Sequence, residues 1–157
     1  MKKTAYRLLA IMLLVATAGT GALSQSRETT LRETVYVPAY SSIFHSDKKL
    51  EFNLTVTLSI HNVDLKTPIV IDTIDLYNTS GKKIRSCVAA SGKTLKPLET
   101  YNMVIRESDV AGGVGGNFIV KWRAASPASR PVVETIMIGT RGQQGISFTS
   151  RGVTIED

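Results

Sequence analysis

The 157-residue chain has one cysteine, two histidines and one tryptophan. A single cysteine excludes an internal disulfide, so any fold must be held by its core. Cys87 lies in a strand-like stretch and reads as a small buried or half-buried hydrophobe. A blue-copper site needs a His and a Met shortly after its Cys. Cys87 is followed instead by Val88-Ala89-Ala90-Ser91-Gly92. No zinc spacing is present, and only His45, His61 and Asp47 remain as a sparse ligand set. There is no Gly-x-Ser-x-Gly elbow. The most glycine-dense stretch, residues 109–117 (DVAGGVGGN), lacks the Lys-Ser/Thr of a P-loop and opens a strand instead of a helix. Asp72 and Asp75 read as a solvated sheet face that discourages edge pairing. These absences predict no catalysis and no cofactor.

Basic residues are not clustered in sequence either. No run of Lys or Arg exceeds two, and no basic stripe interleaves with aromatics, which speaks against nucleic acid as a partner. One long apolar run exists, residues 8–16 (LLAIMLLVA), behind Lys2, Lys3 and Arg7. It falls short of the roughly 20 apolar residues that span a bilayer. Small residues at Ala22 and Ser24 complete the pattern of a secretion signal cleaved before Gln25. The expected product is exported, periplasmic or secreted, with no membrane anchor after cleavage. Cys87 is too far downstream to serve as a lipidation site. Removing residues 1–24 leaves 133 residues with 16 basic and 13 acidic side chains, a net charge of +3. Much of the basic character thus belongs to the discarded peptide.

What remains is strand-like. Residues 25–33 (QSRETTLRE) are polar and read as a flexible lead-in. Residues 34–157 form a single domain. Val35-Tyr36-Val37 ahead of Pro38 suggests a first or edge strand. Residues 50–61 alternate strictly between apolar and polar, predicting one long strand with His61 on its wet face. Ile69 and Ile71 share one parity, and Ile74 and Leu76 the other. An extra residue at Asp72-Thr73, a β-bulge, would keep all four in the core. Further strands follow through Ile84, Tyr101 to Ile105, Phe118 to Trp122, residues 132–140 and residues 146–150, with a loop at residues 127–131 (PASRP). Short strands at this spacing, with no crossover helix, predict an all-β, immunoglobulin-like antiparallel sandwich of about seven or eight strands. Trp122 would be its central aromatic.

Two segments stand out. Residues 36–45 (YVPAYSSIFH) carry three aromatics and a His without clean alternation, and residues 145–152 (GISFTSRG) carry hydroxyls and a guanidinium. Arginine reads carboxylate or phosphate bidentately. Tyr40, Ser41, His45, Ser147, Ser150 and Arg151 are therefore the expected binding residues. Their expected partner is another envelope protein or a small anionic ligand.

Tyr36-Val37-Pro38 with Tyr40-Ser41, the strand from Phe52 to Ile60, Asn117-Phe118 to Trp122-Arg123, and Ile138-Gly139-Thr140 to Gln144-Gly145-Ile146-Ser147-Phe148-Thr149-Ser150-Arg151-Gly152 resemble a bacterial exported family, domain of unknown function 3124. The resemblance runs from about Val35 to Ile155. It implies a stand-alone exported domain whose two unusual segments belong together, and it carries over no activity and no catalytic residue. Four functions are weighed from the residues: a binding or interaction domain, which leads; a structural or accessory subunit of an envelope assembly; a hydrolase-like enzyme with a His45-centred site; and a metal-binding protein through the histidines.

Overall fold

The computed structural model describes residues 28–140 and 145–156; the expected signal peptide lies outside them. Among the described residues there are twelve strands and one 3-10 turn at Gly113–Gly115. Seven strands are six residues or longer: β1 (Thr29–Pro38), β4 (Thr55–His61), β5 (Ile69–Tyr77), β8 (Thr100–Ile105), β9 (Asn117–Ser129), β10 (Val132–Gly139) and β11 (Ile146–Arg151). The short ones are β2 (Ser42–Phe44), β3 (Glu51–Asn53), β6 (Lys83–Ser86), β7 (Lys93–Leu95) and β12 (Val153–Glu156).

One sheet has the order β12-β1-β9-β5-β6, with β7 also on β5; the other has the order β11-β10-β4-β8. Strands β2 and β3 form a separate hairpin. Every pairing is antiparallel. The inward rows interleave into one core: Val35 and Val37, Val56, Leu58 and Ile60, Phe118, Val120 and Trp122, with Val133 and Met137. The protein is an all-β sandwich, as the alternation required.

The phase slip in β5 is a bulge. Its register against β9 shifts between Ile71 and Thr73, and Ile69, Ile71, Ile74 and Leu76 are all fully buried. The Asn78 turn also forms, with Gly81 at φ +75° and its N–H donating to the Asn78 carbonyl.

Of the two readings of Val35-Tyr36-Val37, the first strand among the described residues holds, and the strand is interior, between β12 and β9. Three local expectations are corrected. Residues 29–33, expected in the lead-in, belong to β1, which pairs Thr29 and Thr30 with β9 and buries Glu33. The long alternating strand breaks at Leu54, whose N–H leaves the ladder to bond the Ser41 carbonyl at 2.9 Å. Pro127 lies within β9, which continues to Ser129, so only Arg130 and Pro131 connect it to β10.

The last strand changes sheets. β11 pairs with β10, and β12 pairs with β1. Gly152 makes the crossing, its N–H donating to the Val133 carbonyl at 2.8 Å. A Cβ there would lie 2.6 Å from Val35 Cγ1, so the close approach demands glycine.

Candidate functional site

The two unusual segments do meet. The Tyr40 and Phe148 ring centroids are 6.4 Å apart. The Thr135 hydroxyl donates to the Pro38 carbonyl and lies 3.5 Å from the Ser150 carbonyl, joining both segments through β10. Their side chains nevertheless do not share one surface. Ser150 stands opposite Thr135 and is half-buried, whereas Ser147 and Arg151 stand opposite Ile138 and Glu134 and are exposed. Alternation along β11 sends them to opposite faces.

Ser41 is 0% exposed. Its N–H donates to the Gly113 carbonyl at 3.0 Å, and a Cβ on Gly112 would come within 2.7 Å of its hydroxyl. The glycine-dense loop therefore closes over Ser41, and this residue is corrected from a surface contact to a packing position. His45 is exposed in the β2–β3 hairpin; its N–H donates to the Leu50 carbonyl and its ring meets Phe52 edge-on at 6.3 Å. His61 is remote from it in the ladder, bonding Thr100 at 2.9 Å and lying 3.6 Å from Glu134. Among the described residues no group of three His, Cys, Asp or Glu is placed to hold a metal.

A different place gathers more chemistry. An open cleft of about 550 Å³ on the β12-β1-β9-β5 side is lined by Arg32, Glu33, Thr34, Asp72, Lys121, Trp122, Arg123 and Glu156. Three irregularities surround it. The register shifts between Thr30 and Arg32 on β1–β9, between Ile71 and Thr73 on β5–β9, and between Thr34 and Val35 on β1–β12. Bulges break the ladder, increase the twist and re-aim side chains, and they concentrate beside sites.

Behind the cleft, on the inward face of the sheet, lies a buried carboxylate. Glu33 is 4% exposed and accepts from Trp122 Nε1 at 3.1 Å and from the Thr154 hydroxyl at 3.0 Å. Arg130 Nε lies 3.0 Å from the same carboxylate, an ion pair by distance rather than an aligned hydrogen bond. The rim is basic. Arg32 stands directly opposite Arg123, and Lys121 opposite Thr34, all on the outer face. Arg123 donates its Nε to Asp72 at 2.9 Å. Thr34 donates to Glu156 at 3.3 Å. Beyond the rim, Asp75 is partly buried, which pushes its carboxyl up. Its bonds to Lys83 and Ser86 and the fields of Lys83 and Lys121 outweigh this and leave it below its ordinary value.

The sequence holds part of this site. The phase slip at Asp72-Thr73 marks the bulge, and Lys121 and Arg123 alternate with the core residues of β9. Arg32 and Glu33 were hidden in the polar lead-in. Nothing local announces a glutamate whose indole partner lies 89 positions away.

No curated protein matches the chain. A solved structure described as the crystal structure of Thermotoga maritima 1070 overlays with a TM-score of 0.47 at 10% identity, covering 79% of this chain and 95% of that one. The family model described as protein of unknown function (DUF3124) matches residues 32–155. This match takes in strands of both sheets and every residue lining the cleft except Glu156, and by it the chain belongs to the DUF3124 family.

Proposed function

We propose that this protein is an exported binding domain of the bacterial envelope that acts by non-covalent recognition through the cleft over Glu33 and Trp122. The supporting observation is the coincidence of three register shifts around one recess. Its basic rim faces outward, and the carboxylate of Glu33 is fully engaged behind it on the inward face. Ladder irregularities weaken a sheet, and a binding site gives them a use. The signal-like first 24 residues support export.

The test is a photo-crosslinking residue placed at position 121 in the producing cell, with position 104 on the exposed face of β8 as control. An adduct at 121 and none at 104 is expected, on a protein recovered from the envelope fraction with Gln25 at its N-terminus. Equal labelling at both positions, or a cytoplasmic protein that retains residues 1–24, would overturn the reading.

A structural role has one specific observation in its favour. Strand β12 is an edge, with Val153 62% and Ile155 55% exposed. An open edge of this kind accepts a strand from another chain. Concentration-dependent self-association lost in Val153→Lys would support this second reading.

A further inference from the structure

We infer that the cleft takes a phosphate group, held by Arg32, Lys121 and Arg123. The inference rests on the cleft being the binding site. Its starting point is a local conflict in β1–β9. Arg32 and Arg123 are direct cross-strand partners on one face, and like charges at such positions oppose pairing. Lys121 is two residues from Arg123 on the same face, diagonal to Arg32. Diagonal neighbours lie about 7–8 Å apart, within reach of long side chains.

The acids nearby compensate these charges incompletely. Asp72 takes only the Nε of Arg123, which orients the guanidinium and leaves its two terminal nitrogens without a protein partner among the described residues. Neither Arg32 nor Lys121 has an ion pair among them. Glu33 is occupied by Trp122, Thr154 and Arg130. A tetrahedral oxyanion offers separate oxygens to three donors arriving from two strands. A planar carboxylate is saturated by one bidentate guanidinium. Three cations on one rim therefore suit phosphate better. Glu156 and Asp72 are the rim acids that would repel it, Asp72 being partly offset by its bond to Arg123.

A free phosphate compound and a phospholipid headgroup present the same group. Protein purified after export is titrated with inorganic phosphate in low-salt buffer and followed by amide NMR. It is also sedimented with vesicles of phosphatidylglycerol or of phosphatidylcholine. Saturable shifts centred on Arg32, Lys121 and Arg123 are expected. Arg32→Gln and Lys121→Gln should each weaken binding about tenfold, and Glu156→Gln should tighten it. Lys82→Gln, on an exposed turn outside the cleft, should change nothing. Arg32→Gln should also raise Tm by a few degrees in anion-free buffer, since it removes a like-charge pair. Phosphatidylglycerol binding competed by inorganic phosphate would identify the headgroup as the source; phosphate binding without vesicle binding would identify a soluble ligand. Shifts that do not saturate, together with no vesicle binding, would overturn the inference, as would unchanged affinity in both basic-to-Gln variants. A crosslink at position 121 in a protein inert to phosphate would retain the binding-domain reading and discard the phosphate.

Discussion

Glu33 is the residue whose removal tests the architecture of the cleft most directly. Glu33→Ala leaves the Trp122 N–H buried without an acceptor, because Trp122 is 1% exposed. Such an orphaned donor costs about 1–3 kcal/mol. Losing one buried methylene adds about 0.8 kcal/mol. Thr154 is half-buried and the Arg130 side chain 35% exposed, so water recovers most of what they lose. The expected loss is about 2–4 kcal/mol, which for a domain of this size lowers Tm by roughly 6–20 °C. Glu33→Gln keeps the volume and one acceptor and should cost about 1–2 kcal/mol. Trp122 is the sole tryptophan, so its fluorescence reports urea unfolding without ambiguity. Hydrogen exchange gives a second readout: the amides of β12 should lose protection first, because the Thr154 bond to Glu33 is gone. A Glu33→Ala protein within 0.5 kcal/mol of wild type, with β12 still protected, would refute the reasoning.

Other expectations are simpler. Asp64 accepts from the backbone N–H groups of Ser129, Lys66 and Thr67, which hold its carboxyl far below the ordinary 3.8. Its stabilisation is thus complete above the unfolded value and is lost as pH falls toward the folded one. The stability gap between wild type and Asp64→Asn should be constant at neutral pH and narrow below about 3.8 in urea titrations at several pH values. Burial pushes the Cys87 thiol up, against the opposing influence of Arg85, so maleimide should label it more slowly than free cysteine until the protein is unfolded. Gly152→Ala should cost about 1–3 kcal/mol in denaturant unfolding, because the new methyl meets Val35 and the Val133 carbonyl.

The sandwich was legible where a pattern is local. Period-two alternation placed Val56, Leu58 and Ile60 in the core, and a single slip in parity located the β5 bulge between Ile71 and Thr73. The failures are non-local. Thr29 to Glu33 look like a solvated leader until β9 supplies a ladder partner and Trp122 a donor. Ser41 looks like a surface hydroxyl until a loop more than 70 residues away folds over it. Ser147, Ser150 and Arg151 form a compact motif in sequence, but strand parity divides them between two faces. The basic rim is invisible to a search for Lys/Arg runs, because Arg32 and Arg123 become neighbours only through antiparallel pairing.

The sheet-switching strand also bears on folding speed. The bond between Thr154 and Glu33 joins positions 121 apart, and β1 finds β12 only after nearly the whole chain has been placed. Closing loops of that length before any contact rewards them slows folding, and all-β domains with such pairings fold in milliseconds to seconds. Until residues 146–156 dock, one flank of both sheets stays open at once, because β11 and β12 are a single run of chain through Gly152. Refolding followed by Trp122 fluorescence should therefore show the indole buried late, in the same step that protects β12, and a chain ending before Ile146 should stall with that flank unpaired.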